Sequence, residues 1–257
     1  MPVTESKTNY NNNVEIVQPK SKIYDSVCVI LHGYGSLPHE MTFWIMIMDE
    51  LSVMLPNMKF LLPYAIFQNK IHSDNSGKLD DKSNGNLNND DFPQSENDRD
   101  RYWFEANNKY LTNPEKIYES RDYIKSLICN EIVNNKIDSS RIAIGGFSQG
   151  GTVALFTGLA FEYKLGCLFA LSPPLPSDTR TFNNTIKNSV NLKTRIFLGY
   201  GDKEDKVHID EIELMIEEVI KFNSIPHVCK KYDTLAHVMS YEELFDVANF
   251  IKKCIPQ

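Results

Sequence analysis

The stretch Arg141-Ile-Ala-Ile-Gly-Gly-Phe-Ser-Gln-Gly-Gly-Thr152 joins a short apolar run to a cluster of glycines around a single serine. The run 142–144 is typical of a buried parallel strand, and residues 152–160 are apolar with good helix formers. Residues 146–150 fit the pattern G-x-S-x-G, in which glycines allow a strained turn to lift a serine above the end of a sheet. A glycine-rich loop could also close such a unit, but the flanking patterns favour a strand, a sharp turn carrying Ser148 and a helix.

Similar apolar runs occur on both sides of this segment and alternate with helical patterns. Strands are predicted at 26–31, 58–63, 166–172 and 194–201, with a more polar edge strand at 227–232. Helices are predicted at 41–55, from 113 to about 135, at 208–222 and from 241 to about 253. This alternation predicts an α/β fold with a mostly parallel, doubly wound sheet, helices on both faces and ligands at the carboxyl ends of the strands.

The length of 257 residues suits one α/β domain, which we place at residues 23–257. Residues 1–22 are polar and without a period, so they are predicted to form a flexible N-terminal lead-in. From about 69 to 100 the chain fills with Asn, Asp, Ser, Gly and Lys, which predicts a low-complexity insert within the domain.

The net charge of −7 and a pI near 5.4 argue against a nucleic-acid partner or an anionic membrane surface. No apolar run is long enough to cross a bilayer, and the N-terminus has no apolar signal core. The five cysteines are widely spaced without metal-ligand spacing, so they are expected to be buried free thiols. These features predict a cytoplasmic protein that holds no metal.

Three loops at the carboxyl ends of predicted strands carry a nucleophile, an acid and a base. Ser148 follows one strand, an acidic turn at 202–205 follows a later one, and His237 alone among the six histidines lies between the last strand and the last helix. The order Ser, acid, His is that of the α/β-hydrolase arrangement. A serine hydroxyl needs a base to take its proton, and the base needs a carboxylate to fix its tautomer. Asp202, Glu204 and Asp205 are the candidate acids, although a helix N-terminus also attracts carboxylates.

Several motifs together resemble those of a known family. They are Leu31-His-Gly-Tyr-Gly35, Leu62-Pro-Tyr-Ala65, Tyr102-Trp-Phe-Glu105, Gly145-Gly-Phe-Ser-Gln-Gly-Gly151, and Leu171-Ser172 with Leu175-Pro176. They resemble, in order, the oxyanion loop, the Pro-His-Ala stretch, the Ser-Trp-Phe-Asp segment, the elbow and the Leu-Ser…Leu-Pro element of the acyl-protein thioesterase, lysophospholipase and carboxylesterase family of small α/β-hydrolases. The resemblance covers most of residues 26–252 and implies the α/β-hydrolase fold.

The resemblance also implies roles for individual residues. Ser148 would be the nucleophile and His237 the base, with no cofactor. The backbone N–H groups of Tyr34 and Gln149 would form the oxyanion hole, and Trp103 and Leu175 would bind substrate.

The chain departs from the family pattern in three places. The family's acid motif reads His-Gly-x-x-Asp-x-x-Val-Pro, whereas this chain has Tyr200-Gly-Asp-Lys-Glu-Asp-Lys-Val-His208. Counting from Gly201 without a gap makes Glu204 the acid, and allowing one extra residue makes it Asp205, so both stay open. The insert precedes Trp103 and so lies near the mouth of the expected site. No cysteine lies near the N-terminus, so acylation there is not implied.

The resemblance implies a serine hydrolase that cleaves acyl thioesters or esters, first of all an acyl-protein thioesterase of the depalmitoylating type acting on acylated proteins. One alternative is a carboxylesterase or lysophospholipase acting on small or lipid esters. An alternative of another class is a non-catalytic homologue that uses the groove or the insert for binding. No stable membrane insertion is expected, a transient membrane association stays open, and the oligomeric state is not predicted.

Overall fold

The computed structural model describes residues 13–21, 24–35, 45–68, 101–107, 110–111, 114–174 and 179–256. The predicted insert at about 69–100 and the first twelve residues of the predicted lead-in lie outside these ranges. The prediction of a flexible lead-in is wrong for Val14–Val17, which forms a strand. This strand pairs antiparallel with Met58–Pro63 and packs Val17 into the core, so backbone pairing and apolar contact together order it.

Two kinds of strand occur in the described part of the chain: seven belong to one sheet, and four short ones form two separate ladders. In chain order they are β1 (Val14–Val17), β2 (Ser26–Leu31), β3 (Met58–Pro63), β4 (Phe67–Gln68), β5 (Arg101–Tyr102), β6 (Ala106–Asn107), β7 (Tyr110–Leu111), β8 (Ile142–Phe147), β9 (Cys167–Leu171), β10 (Arg195–Gly201) and β11 (His227–Tyr232).

The strand order of the main sheet is β1-β3-β2-β8-β9-β10-β11. Only β1 is antiparallel to its neighbour among the described strands of this sheet. The order reverses at β2, since β3 lies on one side of it and β8 on the other. In doubly wound sheets the crevice at such a reversal, at the carboxyl ends of the strands, is where ligands bind. The candidate serine follows β8 and therefore lies at this crevice.

The helices are α1 (a π-helical turn at Ile47–Leu51 continued by Ser52–Met54), α2 (Pro114–Val133), α3 (Gln149–Leu159), α4 (Thr179–Ile186), α5 (Ile209–Met215, continued by a π-helical turn at Ile216–Lys221) and α6 (Tyr241–Cys254). Short 3-10 turns occur at Ser139–Arg141 and Val190–Lys193. Across the described ranges, none of the helices is both long and apolar enough to span a membrane.

The core has two layers, one on each face of the sheet. On one face α2, α3, α4 and α5 pack against the strands, and on the other face α1 and α6 do so. The strands β2, β3 and β9 are buried along their whole length, as their continuous apolar runs require, whereas the edge strand β11 is largely exposed. The predicted doubly wound α/β sheet with helices on both faces is confirmed.

The short ladder of β4 and β5 lies where the predicted insert begins and ends. Phe67 pairs with Tyr102 and Gln68 with Arg101, in antiparallel register. Stacking of the Phe67 and Tyr102 rings, with centroids 5.6 Å apart, supports the ladder. The ladder therefore holds the residues on either side of 69–100 next to each other.

The cysteines differ from the expectation of buried thiols. All five are free, but only Cys28 and Cys167 are buried. Cys129 and Cys254 are partly exposed, and Cys229 is exposed because it lies on the edge strand β11. The prediction of burial is therefore wrong for Cys229.

Candidate active site

The turn between β8 and α3 holds Ser148 in a strained conformation. Its backbone has φ 53° and ψ −126°, which is outside the regions that residues with a side chain favour. Such a conformation costs roughly 1–3 kcal/mol and persists only where the surroundings enforce it. The Ser148 N–H donates to Leu171 O at the end of the neighbouring strand β9, at 2.8 Å, and so fixes the turn to the sheet.

Two glycines of the G-x-S-x-G pattern let this turn approach β2. A Cβ on Gly150 would lie 2.3 Å from Leu31 O, and a Cβ on Gly146 would lie 2.5 Å from the same atom. Any side chain there would collide with backbone that cannot move away cheaply. The glycines therefore bring the serine against the loop that follows β2, where the second half of an oxyanion hole was predicted.

His237 lies beside Ser148 although the two residues are far apart in sequence. His237 Nε2 is 2.9 Å from Ser148 Oγ, and the imidazole rests against the Phe147 ring with centroids 4.7 Å apart. The loop that carries His237 packs directly on the end of β10: a Cβ on Gly201 would lie 1.9 Å from Leu235 O. The Lys203 N–H also donates to Leu235 O, at 2.9 Å. These contacts fix the base over the turn.

Of the carboxylates predicted for the acid, Glu204 is the one that reaches the imidazole. Glu204 Oε2 accepts from His237 Nδ1 at 2.7 Å, and its side chain is fully buried. Asp205 points outward, with its side chain 60% exposed beside Lys206. Asp202 instead accepts from the Thr234 N–H at 2.6 Å and so helps to shape the histidine loop.

Ser172, which the sequence reasoning did not assign to the site, holds the second oxygen of Glu204. The Ser172 hydroxyl donates to Glu204 Oε1, and the Ser172 N–H donates to Gly199 O at 2.8 Å. The signal in the sequence was its place at the carboxyl end of β9, beside the elbow strand. With both oxygens hydrogen-bonded, the buried carboxylate has a fixed orientation toward the histidine.

The predicted oxyanion donors border the serine. Gln149 begins α3, where backbone N–H groups have no acceptor within the helix. Its side chain accepts from the Trp103 N–H and donates to Phe104 O, both at 3.1 Å, and so anchors this helix start. On the other side of Ser148 lies Gly33, which precedes Tyr34 in the chain. A Cβ added to Gly33 would lie 3.4 Å from Ser148 Cβ, so the backbone of this loop lies beside the nucleophile.

The substrate-binding role expected of Trp103 disagrees with its position. Its indole is fully buried behind the site, and Nε1 donates to His32 O at 2.8 Å. The indole of Trp103 thus supports the loop after β2, and its backbone N–H holds the Gln149 side chain. The residue does not offer a surface to substrate. Leu175, the other residue expected to bind substrate, lies outside the described residues.

His32 is a second residue that the sequence reasoning left without a role. Its buried ring donates from Nδ1 to Gly33 O at 2.7 Å, and its Nε2 accepts from the Ala65 N–H at 3.0 Å. Both contacts require the neutral ring with its proton on Nδ1. Burial lowers the pKa of His32 from an ordinary value of 6.5 to about 4, with the nearby Arg101 charge acting in the same direction.

The burial of His32 predicts a loss of stability in acid. The unfolded chain protonates this ring near pH 6.5 and the folded chain only near pH 4, so its contribution is complete above pH 6.5 and is lost as the pH falls toward 4. We expect the free energy of unfolding in urea to fall between about pH 7 and about pH 4.5 by about 2 kcal/mol more in the wild type than in His32→Gln. Equal pH dependence in the two proteins would contradict this.

A small apolar cleft lies one helical turn beyond Ser148. It is lined by residues of α3, α4, α5 and the segment after β9: Thr152, Leu155, Pro173, Pro174, Phe182, Met215 and Val219. The Thr152 N–H donates to Ser148 O at 3.2 Å, and its hydroxyl donates to Pro174 O at 2.7 Å. The cleft is thus part of the structure that carries the serine, and its lining suits a hydrocarbon group.

In chemical terms, the site aligns a hydroxyl, an imidazole and a carboxylate in one hydrogen-bonded chain. The imidazole can take the proton of Ser148 at Nε2 while Glu204 holds the Nδ1 proton and stabilises the resulting cation. The N–H groups beside the serine can receive negative charge that develops on a carbonyl oxygen.

The chain is similar in sequence to proteins of one hydrolase family. The profile of the phospholipase/carboxylesterase family matches residues 88–255. Acyl-protein thioesterase 1 of Aspergillus fumigatus is 35% identical over 140 residues, which are 54% of this chain and 58% of that protein. Acyl-protein thioesterase 1 of Emericella nidulans is 37% identical over 148 residues, with the same two coverages. The chain thus spans a little over half the length of these relatives.

The fold has close counterparts among solved structures. The crystal structure of acyl-protein thioesterase 2 from Zea mays superposes with a TM-score of 0.69, covering 94% of this chain and 98% of that one at 21% sequence identity. At this identity the likeness shows the fold alone.

Proposed function

The chain belongs to the phospholipase/carboxylesterase family of α/β-hydrolases, and from this premise we propose that it is a serine hydrolase that cleaves acyl esters or thioesters. The observation that carries the proposal is the continuous contact from Ser148 Oγ through His237 to Glu204, with distances of 2.9 and 2.7 Å. A protein that used this groove only for binding would not need a hydroxyl, a base and a buried acid in line.

The proposed reaction has two steps through one covalent intermediate. Ser148 Oγ attacks the carbonyl carbon while His237 takes its proton, and the negative charge moves to the carbonyl oxygen, facing the N–H groups of Tyr34 and Gln149. The bond to the leaving thiol or alcohol then breaks as His237 returns the proton to it. A water molecule, deprotonated by His237, then attacks the acyl carbon of the acyl-serine. The bond from that carbon to Ser148 Oγ breaks, His237 returns the proton to Ser148 Oγ, and the carboxylic acid leaves. Glu204 holds the imidazole in its working orientation throughout.

We propose acyl thioesters on proteins as the preferred substrates. Relatives named acyl-protein thioesterase support this choice, and so does the apolar lining of the cleft beside Ser148, which matches the chemistry of the hydrocarbon tail of an acyl group. The same cleft would also accept the acyl chain of a small ester or a lysophospholipid, which is the second candidate. A cytoplasmic location would fit such a substrate, whose acyl group is presented at a membrane surface.

The acyl cleft can be tested by filling it. Val219→Phe adds bulk to the lining, so we expect kcat/KM for long-chain acyl thioesters to fall about tenfold while short-chain substrates change less than about twofold. Leu214→Phe is the matched control, because Leu214 lies on the same helix with its side chain exposed. The measurement is a chain-length series of thioesters and of the corresponding oxyesters. An unchanged chain-length profile in Val219→Phe would mean that the acyl group binds elsewhere.

The same series separates the two candidate substrate classes. A higher kcat/KM for thioesters than for oxyesters of equal chain length supports the thioesterase proposal. The reverse order, with good turnover of lysophospholipid, favours the esterase or lysophospholipase alternative. Labelling by a fluorophosphonate probe reports separately whether Ser148 is reactive.

A further inference from the structure

The ring of His32 lies behind the loop that carries Tyr34. His32 is the first residue after β2, and its side chain is fully buried. Its Nδ1–H donates to Gly33 O at 2.7 Å, and its Nε2 accepts from the Ala65 N–H at 3.0 Å. The ring thus connects the loop after β2 to the segment after β3 through one donor and one acceptor.

The oxygen that accepts from Nδ1 belongs to the same peptide group as the Tyr34 N–H. This peptide is trans, so its C=O and its N–H point in opposite directions within one plane. A hydrogen bond that fixes Gly33 O therefore also fixes the direction of the Tyr34 N–H. Because the imidazole lies on the side of the carbonyl, the N–H points away from the imidazole.

Gly33 also borders the nucleophile. A Cβ added to Gly33 would lie 3.4 Å from Ser148 Cβ and 3.2 Å from the Phe147 ring. The residue whose carbonyl is held by His32 is therefore in close contact with the turn that carries the serine. A rotation of this peptide would change the direction of an N–H group beside the nucleophile.

The peptide groups on either side are held by the β5 segment. Trp103 Nε1 donates to His32 O at 2.8 Å, and the Gly35 N–H donates to Arg101 O at 2.8 Å. Three successive peptide groups after β2 thus have a fixed hydrogen bond each. The middle one, which carries the Tyr34 N–H, is fixed by the side chain of His32.

We propose that His32 is a positioning residue for the oxyanion hole, which aims the Tyr34 N–H by holding the carbonyl of the same peptide. The inference rests on the proposed hydrolysis, in which this N–H faces the negative charge on the carbonyl oxygen of the substrate. A donor of this kind stabilises the transition state only when it is aimed before the reaction. His32 should therefore act on kcat more than on KM.

The protonation state of the ring supports this role. Burial lowers the pKa of His32 to about 4, so the ring is neutral at neutral pH. A neutral ring has one N–H donor and one acceptor, and the Ala65 N–H occupies the acceptor. The single ring proton is thus on Nδ1, where it faces Gly33 O.

Two substitutions separate the two hydrogen bonds of His32. In His32→Asn the amide N–H takes the place of Nδ1–H and can donate to Gly33 O. In His32→Gln the longer side chain reaches the place of Nε2 and can accept from the Ala65 N–H, but it leaves Gly33 O without its donor. We expect kcat for an acyl thioester to fall about 10²-fold in His32→Gln, with KM within about threefold, and to stay within about fivefold of the wild type in His32→Asn.

His227→Gln is the matched control. His227 also donates from Nδ1 to a backbone carbonyl, Ile225 O at 2.9 Å, but it lies at the start of the edge strand β11. Both kcat and KM should stay within about twofold of the wild type in this variant. Thermal unfolding of each variant shows that the protein is folded at the assay temperature.

The ring can also be observed in the wild-type protein. NMR of the isotope-labelled imidazole nitrogens should show His32 as the neutral Nδ1–H tautomer at about pH 7. The Nε2–H tautomer would overturn the proposal without any variant. If His32→Gln does not fold, His32→Asn decides, because a 10²-fold loss of kcat there would mean that the donor to Gly33 O is not sufficient.

The kinetic outcomes distinguish this inference from the proposed function. An active wild type with an equally active His32→Gln would refute only the positioning role. A larger loss in His32→Asn than in His32→Gln would assign the effect to the Ala65 contact and would also refute it. A wild type that neither hydrolyses acyl esters or thioesters nor reacts with a fluorophosphonate probe would refute the proposed function itself, and the positioning role with it.

Discussion

Replacing Ser148 by alanine is expected to lower kcat for acyl ester and thioester hydrolysis by about 10⁴- to 10⁶-fold, because no other group can take over covalent attack. His237 and Glu204 would keep their mutual contact but would have no proton to accept. The residual rate would come from the N–H groups and from binding alone. The measurement combines steady-state hydrolysis of an acyl thioester with fluorophosphonate labelling, which should be lost.

A matched change at another serine separates chemistry from folding. Ser140→Ala alters a residue at the opposite end of β8, in the turn Ser139–Arg141, and should leave both activity and labelling within about twofold. Ser148→Ala itself should unfold at the same temperature as the wild type or slightly higher, because functional residues in strained settings seldom favour stability. Full hydrolysis by Ser148→Ala would refute the proposed nucleophile.

The second large effect concerns the acid. Glu204→Gln keeps the size of the side chain but can present an amide N–H to His237 Nδ1, which favours the wrong tautomer of the imidazole. We expect kcat to fall by about 10³- to 10⁴-fold. Asp205→Asn should change it less than about twofold, since that side chain faces solvent beside Lys206. The two variants differ by one position in the same turn, so each controls for the other.

Further measurements separate a loss of catalysis from a loss of folding. Thermal unfolding shows whether Glu204→Gln disturbs the fold, since its oxygen also accepts from Ser172. Near-normal turnover in Glu204→Gln, or a collapse in Asp205→Asn instead, would reject Glu204 as the acid. Normal turnover in both would remove this turn from the catalytic machinery altogether.

The sequence was sufficient to predict the architecture and the meeting of three loops. Continuous apolar runs that alternate with helices are typical of buried parallel strands in an α/β sheet. The strand order and the comparison with solved structures confirm this α/β fold. The glycines around Ser148 predicted a strained turn, and Ser148 has φ 53° and ψ −126°. The place of His237 after the last strand followed from the order of the elements alone.

The identity of the carboxylate could not be read from the sequence. Glu204 and Asp205 are adjacent in a turn, and neighbouring side chains of a turn point in different directions. Which one faces inward depends on how the turn is held, here by the contacts of Lys203 N–H and Asp202 with the histidine loop. These are long-range contacts that no local pattern encodes.

Two further differences have the same origin. The resemblance implied that Trp103 binds substrate, but its indole is buried behind the loop after β2, and this position depends on tertiary packing. Val14–Val17 lies in a polar segment, and it becomes a strand because the edge of β3 offers it a hydrogen-bonding partner. The low-complexity character of residues 69–100 remains a prediction.

The β4–β5 ladder bears on how this domain could tolerate changes in chain length. Because Gln68 and Arg101 are held side by side, the polypeptide between them starts and finishes at nearly one point. The closure entropy of a loop grows only with the logarithm of its length, so grafting a flexible loop of another length at this ladder would alter the folding free energy little. The fold thus contains an attachment point where sequence can be gained or lost while the strands that carry the serine, the carboxylate and the histidine stay in register.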